Sequence, residues 1–134
     1  MDEHLRQVFR EEFNLDDKTP RAVRHRIGSF EPLLGEVTAR VLLAASEVAT
    51  AFARQREPDT SIELRLFGVD DLFRIEISNS LTEKYLLALE GEGQGFIRRQ
   101  VLDKSTDRWG VLGDGAAMVW FEIAQAAAPR EAIP

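Results

Sequence analysis

The chain has 134 residues, of which 44% are hydrophobic and 30% charged, and its formal net charge is -6. This balance is typical of one folded domain with a buried core, so we treat residues 1–134 as a single domain. The negative charge argues against a nucleic-acid partner, and the absence of cysteine argues against a zinc site. No apolar run approaches the roughly 18 residues of a membrane helix, and the acidic start is unlike a signal peptide. We therefore expect a cytoplasmic protein with no metal.

The first third of the chain predicts a strand and two helices. Residues 6–15 favour an edge strand with Phe9 and Phe13 on one face, and a short helix is the alternative. Thr19 is a candidate cap and Pro20 suits the first position of a helix. A long helix over residues 36–54 follows, because apolar residues recur along one face of about five turns. That face is formed by Val37, Val41, Ala44, Ala45, Val48 and Phe52.

The remainder predicts two hairpins around a glycine loop and a helix. Apolar and polar residues alternate over 61–66 and 73–77, with a turn between them at 67–71. Glycines recur at 91, 93 and 95, and a helical spacing of Phe96, Val101 and Leu102 follows. A second hairpin over 106–123 turns at residues 113–115, and residues 124–134 are expected to form a flexible tail. This order predicts the α+β class.

Four stretches carry a resemblance to a known family: "TPRAVRHRI", "ASEVATAFARQ", "FRIEISNS" and "DRWGVLGDGAAMVWFEI". In this order the chain resembles the histidine-kinase-like (GHKL) ATPases over residues 8–123. Within that family it is most similar to anti-sigma-factor serine kinases and related small ATP-binding regulatory proteins. The resemblance implies a two-layer sandwich, with a mixed, mostly antiparallel sheet and helices on one face. It also implies a nucleotide site between the helices and the glycine loop.

The long helix of that family carries a glutamate that activates the attacking group and, four residues later, an asparagine that ligates magnesium. Glu47 matches the glutamate and is the candidate catalytic residue, but Ala51 stands where the asparagine is expected. Magnesium needs oxygen ligands, which a methyl group lacks. Thr50 lies about 100° around the helix and is not a substitute.

The other nucleotide motifs are also altered. Asn79 takes the place of the aspartate that binds the adenine amino group, and Leu81 replaces the glycine two residues later. In the glycine-rich lid, Gly93, Gly95 and Phe96 match the family's Gly-x-Gly-Leu, so these residues and Asn79 are the candidate cofactor-binding residues. The closing strand reads Ala116, Ala117 and Met118 where the family has Gly-Lys-Thr.

The altered motifs favour a regulatory protein-binding module of the anti-sigma type, with lost or weakened ATP binding and no kinase activity. The resemblance implies a sigma factor or an anti-anti-sigma protein as partner, and a homodimer. In the family, dimerisation uses the first strand and helix, which here carry Phe9, Phe13, Arg21, Arg24 and Arg26. One alternative is an active serine kinase that needs ATP and magnesium, and another is a structural partner of a different regulatory complex.

Overall fold

The computed structural model describes residues 5–54, 60–79, 94–112 and 117–125. Five strands form one open sheet in the order β1-β2-β3-β5-β4. They are β1 (Arg6–Asn14), β2 (Ser61–Val69), β3 (Leu72–Asn79), β4 (Arg108–Leu112) and β5 (Ala117–Ala124). The helices are α1 (Thr19–Gly28), the single turn α2 (Glu31–Leu34), α3 (Thr38–Arg54) and α4 (Gln94–Ser105). The predicted α+β class is confirmed, and every strand pair in the described ranges is antiparallel rather than mixed.

The core lies between one face of the sheet and the helices, an arrangement compatible with a two-layer sandwich. Alternation along each strand sends every second side chain toward the helices, and those side chains are almost all apolar. They include Ile62, Leu64, Leu66, Phe73, Ile75, Ile77, Val119, Phe121 and Ile123. The predicted stripe of the long helix packs on them, since Val41, Ala45, Val48 and Phe52 are all at most 2% exposed.

β1 is a strand, so the alternative of a short helix is wrong. Phe9 is only 8% exposed, because its ring stacks on Phe30 with 4.6 Å between ring centroids. The guanidinium of Arg26 lies 4.8 Å from the centroid of Phe9 and 5.0 Å from that of Phe30. Arg26 also forms an ion pair with Glu11. These contacts hold β1 against α1.

The predicted capping role of Thr19 is wrong. α1 begins at Thr19, and the preceding Lys18 makes no capping hydrogen bond through its side chain. The Thr19 hydroxyl instead donates to the carbonyl oxygen of Asn14 at 2.8 Å and accepts from the N–H of Asp16 at 2.8 Å. It therefore fixes the connection between β1 and α1.

The long helix begins at Thr38, two residues later than predicted, because Gly35–Val37 forms a 3-10 turn. Gln125 holds this turn in place, since its side-chain amide donates to the carbonyl oxygen of Leu34 at 2.9 Å. Within the predicted tail, Ala124 ends β5 and Gln125 makes this bond. Residues 126–134 lie outside the described residues.

The first predicted hairpin is confirmed, with a tighter turn than expected. β2 continues to Val69 and β3 starts at Leu72, which leaves Asp70 and Asp71 as the turn. Asp70 has φ of 50°, a conformation that aspartate tolerates better than most residues. β4 and β5 also pair as predicted. The predicted turn at residues 113–115 lies outside the described residues.

The sheet face opposite the helices carries a row of alternating charges, which we call the charge ladder. Its members, from one edge of the sheet to the other, are Arg10, Glu63, Arg65, Glu76, Arg74, Glu122 and Arg108. Glu76 and Glu122 are each 5% exposed, and each carboxylate contacts two arginines. Pairing compensates the cost of taking these charges out of water.

Candidate functional site

Glu47, the candidate catalytic residue, lies on α3 beside α4. Its carboxylate Oε2 is 3.4 Å from Nε of Arg98, and the two form an ion pair. The side chain of Arg98 is 5% exposed and that of Glu47 is 24% exposed, so the pair is shielded from water mainly on the arginine side. The sequence analysis did not predict a role for Arg98, because arginine is rarely buried and its charge favours an exposed position.

A second bond fixes the register of these two helices. Arg40 Nε donates to the carbonyl oxygen of Ser105 at 3.0 Å, and Arg40 also pairs with Asp107 at 3.1 Å. Arg40 and Glu47 are seven residues apart on α3, and Ser105 and Arg98 are seven apart on α4. The two helices therefore run antiparallel with matched contacts two turns apart, and this match places Arg98 beside Glu47.

Three effects act on the pKa of Arg98. Burial lowers the pKa of Arg98 below its ordinary value, the carboxylate of Glu47 raises it, and the nearby charge of Arg54 lowers it again. Glu47 is the partner that favours the charged guanidinium in this cluster.

The residue that matches the magnesium-binding asparagine of the resembled family is a buried alanine. Ala51 lies one turn after Glu47 and is only 3% exposed, so its methyl group belongs to the apolar packing of α3. In the part of the chain that the structure describes, no cluster of three histidine, aspartate or glutamate side chains is placed to hold a metal. The residues present do not fit a magnesium ion held as in the resembled kinases.

The residue that matches the adenine-binding aspartate of the resembled family makes a hydrogen bond within the protein. Asn79 ends β3, is 1% exposed, and its amide Nδ2 donates to the carbonyl oxygen of Ser61 at 2.8 Å. It lies opposite Ala117 of β5, which is 0% exposed. The amide of Asn79 therefore joins the ends of β2 and β3.

The lid residues are only partly described. Gly95 lies in the first turn of α4 and is buried, whereas the neighbouring Phe96 is 51% exposed. Gly93, Leu81 and Ala116 lie outside the described residues. The structure thus brings Glu47 close to α4.

A groove of about 400 Å³ opens between β1 and α1. Its lining combines the apolar side chains of Phe13 and Ala22 with the cations Lys18 and Arg21, the imidazole of His25, and the ion pair of Arg26 with Glu11. Within the described ranges neither Lys18 nor Arg21 has a carboxylate partner, and both are exposed. A groove with these properties suits an acidic ligand that carries an apolar group.

Comparison with models of known protein families and with curated proteins found no match for this chain. Among the described residues, no helix is long and apolar enough to cross a membrane. The resemblance to the histidine-kinase-like ATPases therefore rests on the four sequence stretches quoted above.

Proposed function

We propose that this chain is a regulatory protein-binding module of the anti-sigma type, built on a histidine-kinase-like ATPase scaffold that has lost kinase activity. The observation that carries the proposal is the ion pair between Glu47 and the buried Arg98. General-base catalysis needs a carboxylate that is free to take a proton at the reacting atom. Here that carboxylate instead stabilises the packing of α4 on α3.

The positions of Ala51 and Asn79 also support the proposal that the chain has lost nucleotide-dependent activity. Phosphoryl transfer depends on a cation that neutralises the phosphates, and the buried methyl of Ala51 supplies no ligand for one. Asn79 donates its amide hydrogen to the protein backbone. ATP and magnesium are therefore not expected as cofactors of this chain.

Thermal unfolding with ATP, in the presence and absence of magnesium, tests this step together with a phosphotransfer assay. A ligand at 100 times its dissociation constant would add about 2.7 kcal/mol to the free energy of unfolding. We expect no such stabilisation and no phosphoprotein product. Magnesium-dependent turnover of about 1–100 per second would instead establish the alternative of an active serine kinase.

We propose that the partner binds in the groove between β1 and α1. The cations Lys18 and Arg21, which have no carboxylate partner among the described residues, offer it two positive charges beside the half-buried ring of Phe13. The family resemblance suggests a sigma factor or an anti-anti-sigma protein, which would have to present an acidic segment. A partner of neither kind would place the chain in a different regulatory complex.

The test is affinity purification from the native cell, followed by titration of the identified partner against purified variants. Lys18→Glu with Arg21→Glu is expected to weaken binding at least tenfold. Arg24→Glu is the matched control, because Arg24 is also exposed on α1 but does not line the groove. Equal weakening by both changes would contradict a site in the groove.

We further propose that the chain acts in the cytoplasm as a homodimer. The predicted interface on the first strand and helix is reduced, because Phe9 is covered by Phe30 and Arg26. Phe13 is half-buried and lines the groove, so it is more suited to a partner than to a second copy.

A further inference from the structure

One wall of the groove is the edge strand β1. Within the described residues β1 pairs with β2 alone, so every second residue of β1 directs its backbone N–H and C=O away from the sheet. The register with β2 shifts between Gln7 and Phe9 and is regular from Phe9 to Asn14. The carbonyl oxygen of Asn14 already accepts a hydrogen bond from the Thr19 hydroxyl. The stretch from Phe9 to Phe13 therefore offers a regular edge to a further strand.

The other wall of the groove is α1, so an edge strand and a helix border the same space. Glu11 and Phe13 line the groove from β1, and residues between Lys18 and Arg26 line it from the helix side. At 1.5 Å per residue the helical wall is about 12 Å long. Four residues of an extended chain span about 13 Å. A groove of this kind and length suits a short peptide segment that adds to the sheet as a strand.

The charges that line the groove favour an acidic segment. Lys18 and Arg21 have no carboxylate partner among the described residues. Glu11 is the one carboxylate of the lining, and it is paired with Arg26. The two aspartates that precede Lys18 in the sequence do not line the groove. A carboxylate that enters the groove therefore meets an excess of positive charge.

The exposed charges of β1 itself affect which strand the edge accepts. Arg6 and Arg10 are positive and Glu12 is negative. Arg10 forms an ion pair with Glu63, and Glu12 accepts a hydrogen bond from the Ser61 hydroxyl. Charges on an edge strand normally prevent unwanted pairing. Because two of these three charges are positive, they disfavour a basic strand more than an acidic one.

We infer that the groove binds an extended acidic peptide segment of the partner, which adds to the edge of β1 as a further strand. This inference rests on the proposed partner site and specifies how the partner is held. Backbone hydrogen bonds to β1 provide affinity, and the side chains of the segment provide specificity. Every second residue of the segment faces the groove. An apolar side chain there contacts Phe13 and Ala22, and a carboxylate two residues away meets Lys18 and Arg21.

Titration of the whole chain with synthetic peptides tests this mode of binding. The probe is a peptide of eight residues with blocked ends, in which glutamate and valine alternate on one face of the strand and threonine occupies the other. One control peptide carries lysine in place of glutamate. The second control has every backbone nitrogen methylated, which keeps the side chains but removes the hydrogen-bond donors of a strand.

We expect the probe to bind and both control peptides to bind at least tenfold more weakly. We also expect the bound probe to slow hydrogen exchange at least tenfold for those amides between Phe9 and Phe13 that point away from β2. The change Lys18→Glu with Arg21→Glu should weaken binding of the probe at least tenfold, and circular dichroism of this variant checks that it is folded.

Equal binding of the probe and its methylated form, with unchanged exchange of the β1 amides, would overturn strand addition while the groove remains the partner site. Equal binding of the lysine peptide would overturn the preference for an acidic segment. A probe that does not bind at about 1 mM, or that binds equally well to the variant with two changes, would also overturn the inference. Titration of the native partner against the same variant decides the proposed function separately.

Discussion

Changing Glu47 to glutamine tests whether its carboxylate serves the fold or a reaction. The amide keeps the shape of the side chain but removes the charge that faces Arg98, whose own side chain is 5% exposed. Removing one partner of a buried ion pair costs about 3–5 kcal/mol. Because water still reaches 24% of the Glu47 side chain, we expect solvent screening to reduce the loss to about 2 kcal/mol.

Urea unfolding of Glu47→Gln, Arg98→Met and the double variant measures this loss and assigns it to the pair. We expect a coupling energy of about 1–2 kcal/mol between the two positions. Arg99→Met is the matched control, because Arg99 is the next residue on α4 but is half-buried rather than buried. Its coupling to Glu47→Gln is expected to stay below about 0.5 kcal/mol.

The opposite outcome has a clear meaning. Residues kept for catalysis often reduce stability, so their replacement frequently stabilises a protein. If Glu47→Gln leaves the free energy of unfolding unchanged or increases it, the ion pair is not what retains Glu47. The proposal that kinase activity has been lost would then lose its main support.

Three further changes test the packing. Phe52→Ala is expected to cost about 3–5 kcal/mol, since Phe52 is 2% exposed, and a loss below about 1 kcal/mol in urea unfolding would contradict its central place in the core. Gly110→Ala is expected to cost about 1–3 kcal/mol, because the new methyl would lie 2.8 Å from Trp120; unchanged stability with a shift in tryptophan fluorescence would show that the ring moves aside without cost. Glu122→Gln removes a buried charge between Arg74 and Arg108 and should cost about 2 kcal/mol, whereas a neutral result would mean that the ladder adds nothing to stability.

Most of the fold could be predicted from the sequence because apolar periodicity reflects burial directly. The stripe on α3 and the alternation in β2 and β3 each identified the correct face of the element. Predictions were wrong where a polar side chain could form hydrogen bonds with several different partners. Thr19 was predicted to cap a helix, but its hydroxyl bonds the preceding loop, which a local pattern does not reveal.

The candidate site was less predictable for the same reason. The sequence identified Glu47, but its partner Arg98 is 51 positions away and depends on the register of two helices. The exposure of Phe96 and the burial of Asn79 likewise follow from how α4 and β2 are placed, and neither placement is encoded in a short motif. The sequence analysis predicted a strand beside a helix that carries basic residues, but it did not predict the groove between β1 and α1.

The charge ladder also constrains how the sequence can change over evolutionary time. Each buried carboxylate, Glu76 and Glu122, is shared by two arginines, so replacing one member leaves a neighbour with an uncompensated charge. A tolerated change at Arg74 should therefore be accompanied by a change at Glu76 or Glu122. In sequences related to this chain, we expect these positions to vary together across adjacent strands, and Trp120 to vary with Gly110.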